Sequence, residues 1–268
     1  MKRIAICFHG LSYGVNFKKG GLPVTFEKGL ESFHRNVVNH NKDFSFDVFF
    51  HSWSNPLEET IKQKYSPVDC VFEPSKKLVE LNLWQKIYAL LRALKNQDKE
   101  YSRYNNIYSR WYSFQKAFSL AETYSKENNV TYDYVLVLRF DMVFLNPVDF
   151  SKIDLNSFIC GRFIGYHDGK KFVADDAVRK INKQDYSIKE RGYPFDDEGL
   201  QDFFFGCNMS VMKEFSNIYS ELKTLTRKAG LSNHKIALYK FLELEKKKKA
   251  KLAHPVDYIS DYYLERWL

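Results

Sequence analysis

Apolar residues along this chain follow two periods, and the alternation between them sets out the expected elements. RIAICF, 3–8, is a short apolar run of the kind that makes a buried strand. Phe26, Leu30, Phe33 and Val37 then repeat at four, three and four, the stripe of a helix within 22–39 that packs on a sheet. Pro23 suits its first turn. FDVFFHS, 46–52, is a second strand. Strand, helix and strand in this span form a βαβ unit, which implies a parallel sheet. A short third strand is expected at 70–72 and a helix over 78–98, with Leu81, Trp84, Ile87, Leu91 and Leu94 on or near one face. After the polar stretch KNQDKEYSRYNN, Ile107, Trp111, Phe114, Phe118 and Ala121 repeat at four, three, four and three, predicting a helix over 107–124. YDYVLVLRF, 132–140, is the strongest strand: a near-continuous apolar run, as in a central strand covered on both faces.

Beyond Asn146-Pro147 the pattern changes. A strand is expected at 157–163, another at 203–207 (FFFGC), helices over 209–228 and about 232–249, and an aromatic-rich close at 256–268. Residues 164–200 are polar and charged without a period, which is long for a structureless loop; such segments are usually functional or mobile, and a lid over a ligand is expected here. With no internal repeat and no convincing linker, the economical reading is one domain over 1–268, a nucleotide-binding half at 1–146 and an acceptor-facing half at 147–268. The fold class is α/β: a Rossmann-like, mainly parallel central sheet flanked by helices.

Composition narrows the classes. At 44% hydrophobic and 17% aromatic, the chain is well above what disorder would leave. No run approaches the roughly 20 apolar residues of a membrane span, and MKRIAICFHG reads as a first strand rather than a signal peptide. Cys7, Cys70, Cys160 and Cys207 are widely spread, with no CxxC pair and no zinc spacing, so a reduced cytoplasmic protein is expected. A net charge of +8 favours phosphate-bearing partners: nucleic acid, nucleotide-sugars or an anionic membrane face. Nucleic acid is set aside because the aromatics sit in core stripes and no RNA-binding motif is present. The run LEKKKKAKL, 244–252, is a solvated face or a peripheral contact with anionic lipid at the inner membrane face.

Candidate chemistry lies where the strands stop. In open α/β sheets ligands sit at the carboxyl ends of parallel strands. Asp141 stands just past the central apolar run; it either caps the turn or reaches a divalent cation (Mn²⁺ or Mg²⁺) bridging two phosphates. Arg139 alternates with it on one strand face and could grip Asp141, another acid, or a diphosphate directly. His9-Gly10-Leu11-Ser12-Tyr13-Gly14 follows the first strand; its glycines allow close backbone approach, although it is neither GxGxxG nor a Walker loop. A nucleotidyltransferase would want a glycine-rich loop with a basic residue there. On the helix over 107–124, Ser109, Ser113 and Lys116 share a face opposite the stripe, with Arg110 at its edge; such a face is solvated unless something binds it. His51 and Trp53 end the second strand, and Asp196, Asp197, Glu198 and Asp202 precede FFFG as an acidic loop or a strand-start cap.

Five segments together resemble one family. YDYVLVLRFDMVF looks like the YDYVxxxRxD segment of bacterial and viral glycosyltransferases of polysaccharide biosynthesis, the lipopolysaccharide-synthesis family called WavE-like and related capsule enzymes. AICFHG resembles their opening strand, FDVFFHSWS their DVFxHxW segment, SRWYSFQKAF their SQxxSxxKA helix, and QDFFFGCNMSVMKEF their DxFxxGxxxxM segment, in the same order over residues 4 to 215. The resemblance implies a GT-A fold and transfer of a sugar from a nucleotide-sugar donor to a glycan or lipid-linked acceptor. It implies a donor site drawn from His9, Gly10, His51, Arg110, Ser113, Lys116, Arg139 and Asp141, with ribose or phosphate on Arg110 and Ser113. It implies Asp141 as the metal ligand, although Arg139 stands where the family's Asp-x-Asp motif has its first acid. It makes Asp202 the first choice and Asp197 the second for the base that an inverting transfer needs. A relative that binds glycan or nucleotide without catalysis is the alternative, encouraged by Arg139.

Overall fold

A computed structural model describes residues 1–15, 23–80, 83–84, 86–87, 90–91, 104–161, 164–167, 170–173, 199–247, 249–256 and 261–265. The six expected strands and one unexpected one assemble into one sheet: β1 (Lys2–Gly10), β2 (Phe44–Trp53), β3 (Asp69–Glu73), β4 (Tyr134–Arg139), β5 (Phe158–Cys160), β6 (Phe204–Cys207) and the unexpected β7 (Leu252–Ala253). Across the sheet these seven run β3-β2-β1-β4-β6-β5-β7. Every neighbouring pair is parallel except the two made by β6. The chain steps from β1 outward through β2 to β3, then crosses back to lay β4 on the other side of β1. The order therefore reverses between β1 and β4. The expected halves share this sheet, because β5, β6 and β7 all come from beyond residue 146.

Helices cover both faces. They are α1 (Glu27–Phe33, running into a π-helical turn over His34–Val38), α2 (Glu58–Tyr65), α3 (Tyr104–Glu127), α4 (Met209–Ser216), α5 (Ile218–Ala229) and α6 (Asn233–Lys246). The long stripe of α3 is buried as its spacing predicts, from Ile107 through Ala121. The single helix expected over 209–228 is two, meeting at Asn217. There the Ser216 hydroxyl donates back to Lys213 O and the Ser220 hydroxyl to Asn217 O, side-chain bonds of the kind that bend helices. Helix α2 was not expected: it buries only Ile61 and Tyr65, too few positions to show a period. Of the helix expected over 78–98, residues 78–80 are not helical, residues 83, 84, 86, 87, 90 and 91 are, and the rest lies outside the described residues. Within 164–200, Ile164–His167 pairs antiparallel with Lys170–Val173, while 174–198, and so most of the expected lid, lies outside them.

Strand alternation sorts the core into two layers. Ala5 and Cys7 of β1, Phe49 of β2, and Val135 and Val137 of β4 pack with α3 to α6. Ile4, Ile6, Phe8, Phe50, Leu136 and Leu138 point the other way, toward α1 and α2. The segment after β4 is clamped onto α1. A β-carbon on Gly29 would meet Phe140 O at 2.2 Å, so only glycine lets helix and chain approach this closely. Ser32 Oγ accepts from Phe144 N at 3.0 Å, Asn36 Nδ2 donates to Phe144 O at 2.7 Å, and Glu265 N donates to Asp141 O at 2.9 Å.

Candidate functional site

On the α3 side of the sheet the strands change character at their last position. Ala5, Cys7, Phe49, Val135 and Val137 are apolar there, and next toward the carboxyl edge His9, His51 and Arg139 follow them. His9 is in register with His51 on one side and with Arg139 on the other. This row of two imidazoles and a guanidinium crosses the point where the strand order reverses, the place where open α/β sheets bind ligands. Helix α3 lies over it with Arg110 and Ser113. The amino end of the antiparallel β6 brings Asp202 and Phe203 to the same edge.

Two buried ion pairs organise the centre. Arg139 holds Asp141 with both arms of its fork, Nε to Oδ1 at 2.8 Å and Nη2 to Oδ2 at 2.9 Å, and Asp141 is 1% exposed. Arg110 pairs with Asp202 through Nε and Oδ2 at 2.9 Å, and His234 at the start of α6 brings Nδ1 within 3.2 Å of Oδ1. Burial pushes the Asp202 carboxyl up, but Arg110, His234 and Arg139 outweigh it and hold the group below its usual range. Phe203 lies under the Arg139 guanidinium, 5.7 Å from the ring centre. His9 sits between the pairs. Burial, reinforced by Arg110 and Arg139, holds its imidazole well below the ordinary value and therefore neutral. Among the described residues its buried Nδ1 has no hydrogen-bond partner.

A second cluster flanks the first on the β3 side. Ser113 Oγ accepts from Gly10 N at 2.8 Å and shares a 2.8 Å hydrogen bond with His51 Nδ1. Ser113 is fully buried, so the solvated face expected for it is instead a joint that ties α3 to β1 and β2. His51 Nε2 lies 3.5 Å from Glu73 Oε1, and burial brings the imidazole down to about 4. Glu73 also receives Tyr112 and Lys76, which hold its carboxyl below the usual range against the effect of burial, and Lys116 stands 3.9 Å away. The Tyr112 ring stacks on Trp53 at 5.9 Å between centroids. Beyond Gly10, which has φ 100°, Ser12 Oγ shares a 2.7 Å hydrogen bond with Ser52 Oγ, fixing the first turn.

The edge thus gathers His9, Gly10, His51, Arg110, Ser113, Lys116, Arg139, Asp141 and Asp202 from five elements and the segments beside them. Asp197 lies outside the described residues. Glu73, Tyr112 and His234 belong to the site without having been expected. Their signals in the sequence were faint: a carboxylate at the end of a short strand, a tyrosine one position off the α3 stripe, and a histidine behind a serine N-cap. A divalent cation does not fit Asp141 as it stands, since both carboxylate oxygens accept from Arg139. Among the described residues no three His, Cys, Asp or Glu side chains gather into a metal-binding group. Among them, too, no helix is long and apolar enough to cross a membrane. No family model and no curated protein matches the chain.

Proposed function

We propose that this chain is a glycosyltransferase of the GT-A class, of the kind its sequence segments resemble, carrying a sugar from a nucleotide-sugar to a glycan or lipid-linked glycan in surface polysaccharide synthesis. One observation carries the reading: Arg139 and Arg110, each seated on a buried carboxylate, lie at the strand-order reversal beside the neutral His9. A guanidinium has five N–H donors, and a bidentate grip on a carboxylate uses two of them, so one side chain can bridge a carboxylate and a phosphate. Neutralising a departing diphosphate is the main electrostatic task in such a transfer, and fixed guanidiniums need no reorganisation to do it. The divalent cation implied by the resemblance would have to take Asp141 from Arg139. Asp202 acts with His234: Nδ1–H donates to Leu200 O at 3.0 Å with Asp202 Oδ1 3.2 Å away, which leaves the imidazole lone pair on Nε2, the arrangement of an oriented general base.

The test is a thermal-shift screen of nucleoside diphosphates and nucleotide-sugars, each with and without Mn²⁺. A ligand at about 100 times its Kd stabilises the native state by about 2.7 kcal/mol. At least one should shift the parent without metal, and Arg139→Gln should remove that shift. No shift with any of them, or an undiminished shift in Arg139→Gln, sinks the proposal. One observation favours a second reading, a relative that binds but does not transfer: Asp202 is engaged by Arg110 and His234 and is a weak base. Donor binding without sugar release or transfer would select it.

A further inference from the structure

Large apolar side chains exposed on the surface are concentrated in one place. Of the eight among the described residues, five are Leu83, Trp84, Ile87, Leu90 and Leu91. Trp84 is 77% exposed, Leu83 69% and Leu91 59%. All five are helical. At about 100° per residue they fall within an arc of about 120°, one continuous apolar face. Lys86 stands beyond one border of that arc. From Leu81 to Asn96 the sequence holds Lys86, Arg92 and Lys95 and no acidic residue. An apolar face carrying a tryptophan and bordered only by positive charge is complementary to an anionic bilayer, where rings settle at headgroup level and lysines meet lipid phosphate.

Its place in the fold gives the surface a consequence. The segment leaves β3 at Glu73, on the carboxyl edge, and is tied back there by Leu78 N, which donates to Asn105 Oδ1 at 2.8 Å at the start of α3. It therefore projects from the edge that holds Arg139 and Asp202. The lysine run expected to meet lipid lies elsewhere. It follows α6 and precedes β7, at the amino edge, and Lys247 and Lys249 are engaged by Glu214. Docking through that run would turn the site away from the membrane.

We infer that the face formed by Leu83, Trp84, Ile87, Leu90 and Leu91 is a peripheral docking surface for an anionic lipid bilayer, holding the carboxyl-edge site toward the headgroups. This orientation suits the lipid-linked acceptor of the proposed function, but the binding itself does not depend on that reading and is measured without donor or acceptor. The full chain is floated with vesicles of neutral phosphatidylcholine alone or containing a third phosphatidylglycerol. Binding to the anionic vesicles, weakened at least tenfold in Trp84→Ser/Leu91→Ser and weakened in Lys86→Glu, is the expected result. Lys247→Ser/Lys249→Ser should bind as the parent does. The altered residues are exposed, and an unchanged melting temperature confirms that each variant folds. Four results would overturn the inference: no binding by the parent, equal binding to neutral vesicles, undiminished binding by the Trp84/Leu91 variant, or loss confined to the Lys247/Lys249 variant. A parent that self-associates through Trp84 and ignores vesicles would overturn it as well, assigning the face to a second copy of this chain.

Discussion

Acidification from pH 7.5 to 5 should destabilise this protein before its carboxylates titrate, and His51 gives the size of the loss. Its imidazole is buried between Ser113 and Glu73, with Lys76 and Lys116 nearby, and its pKa falls from 6.5 to about 4. Between those two values the unfolded chain takes up a proton that the folded chain refuses, so stability falls with falling pH. The full displacement corresponds to about 3 kcal/mol, of which about 2 kcal/mol is lost by pH 5. His9, lowered more strongly, acts in the same direction. Asp202 and Glu73 do not confuse this window: their folded values are depressed, so their contributions are present above the ordinary carboxylate range and fade only below it. Urea denaturation at the two pH values reads the effect as a midpoint shift of about 1 M, for a slope of about 2–3 kcal/mol per molar. His51→Asn can keep a hydrogen bond to Ser113 and cannot titrate, so it should be less stable at pH 7.5 yet less sensitive to acid. A parent midpoint unchanged between pH 7.5 and 5, or a variant with the parent's full sensitivity, would refute the reasoning.

Two further substitutions test how the site is built. Asp202→Asn removes the buried carboxylate that Arg110 meets at 2.9 Å, which should cost about 3–5 kcal/mol and lower the melting temperature by on the order of 10 °C. Adding Arg110→Gln should recover part of that loss, and strict additivity of the two changes would show that they do not interact. Gly29→Ala forces a β-carbon against Phe140 O and should destabilise by about 1–3 kcal/mol while displacing the segment that carries Asp141. A neutral melting temperature for that variant would mean α1 does not set the position of Asp141.

Much of the sheet was legible because its strands are apolar on both faces. RIAICF and YDYVLVLRF bury most of their side chains and FDVFFHS those from Phe49 on, and their ends coincide with the edge where His9, His51 and Arg139 stand. What the sequence lacked was each partner. Ser113 sits one position from the buried Phe114 and reads as polar surface, yet it faces the sheet because its hydroxyl finds Gly10 N and His51. Its burial is decided by hydrogen bonds between elements, which leave no period in the chain. The same is true of His234: more than thirty residues separate it from Asp202, and only the packing of α6 against the amino end of β6 joins them. Short elements escaped for another reason: α2 and β7 bury too few side chains to display a pattern.

The net charge of +8 suggested a broadly positive molecule awaiting phosphate, and the site changes that picture. At its centre Arg139 faces Asp141, Arg110 faces Asp202, and the lowered pKa values of His9 and His51 keep both imidazoles neutral at pH 7. Among the described residues, the two arginines are therefore held in place by the two carboxylates, and these charges offset one another before anything binds. Such a site gains little from long-range attraction. Its selectivity would come from geometry, through donors fixed in direction by ion pairs that are expensive to break. Salt should then weaken donor binding only slightly, whereas the lysine-bordered face of Leu83 to Leu91 should release lipid steeply as salt rises, because exposed charges are screened over about 10 Å at 0.1 M. The two ionic-strength dependences, measured on one preparation, separate the buried arginine site from the proposed lipid-docking face.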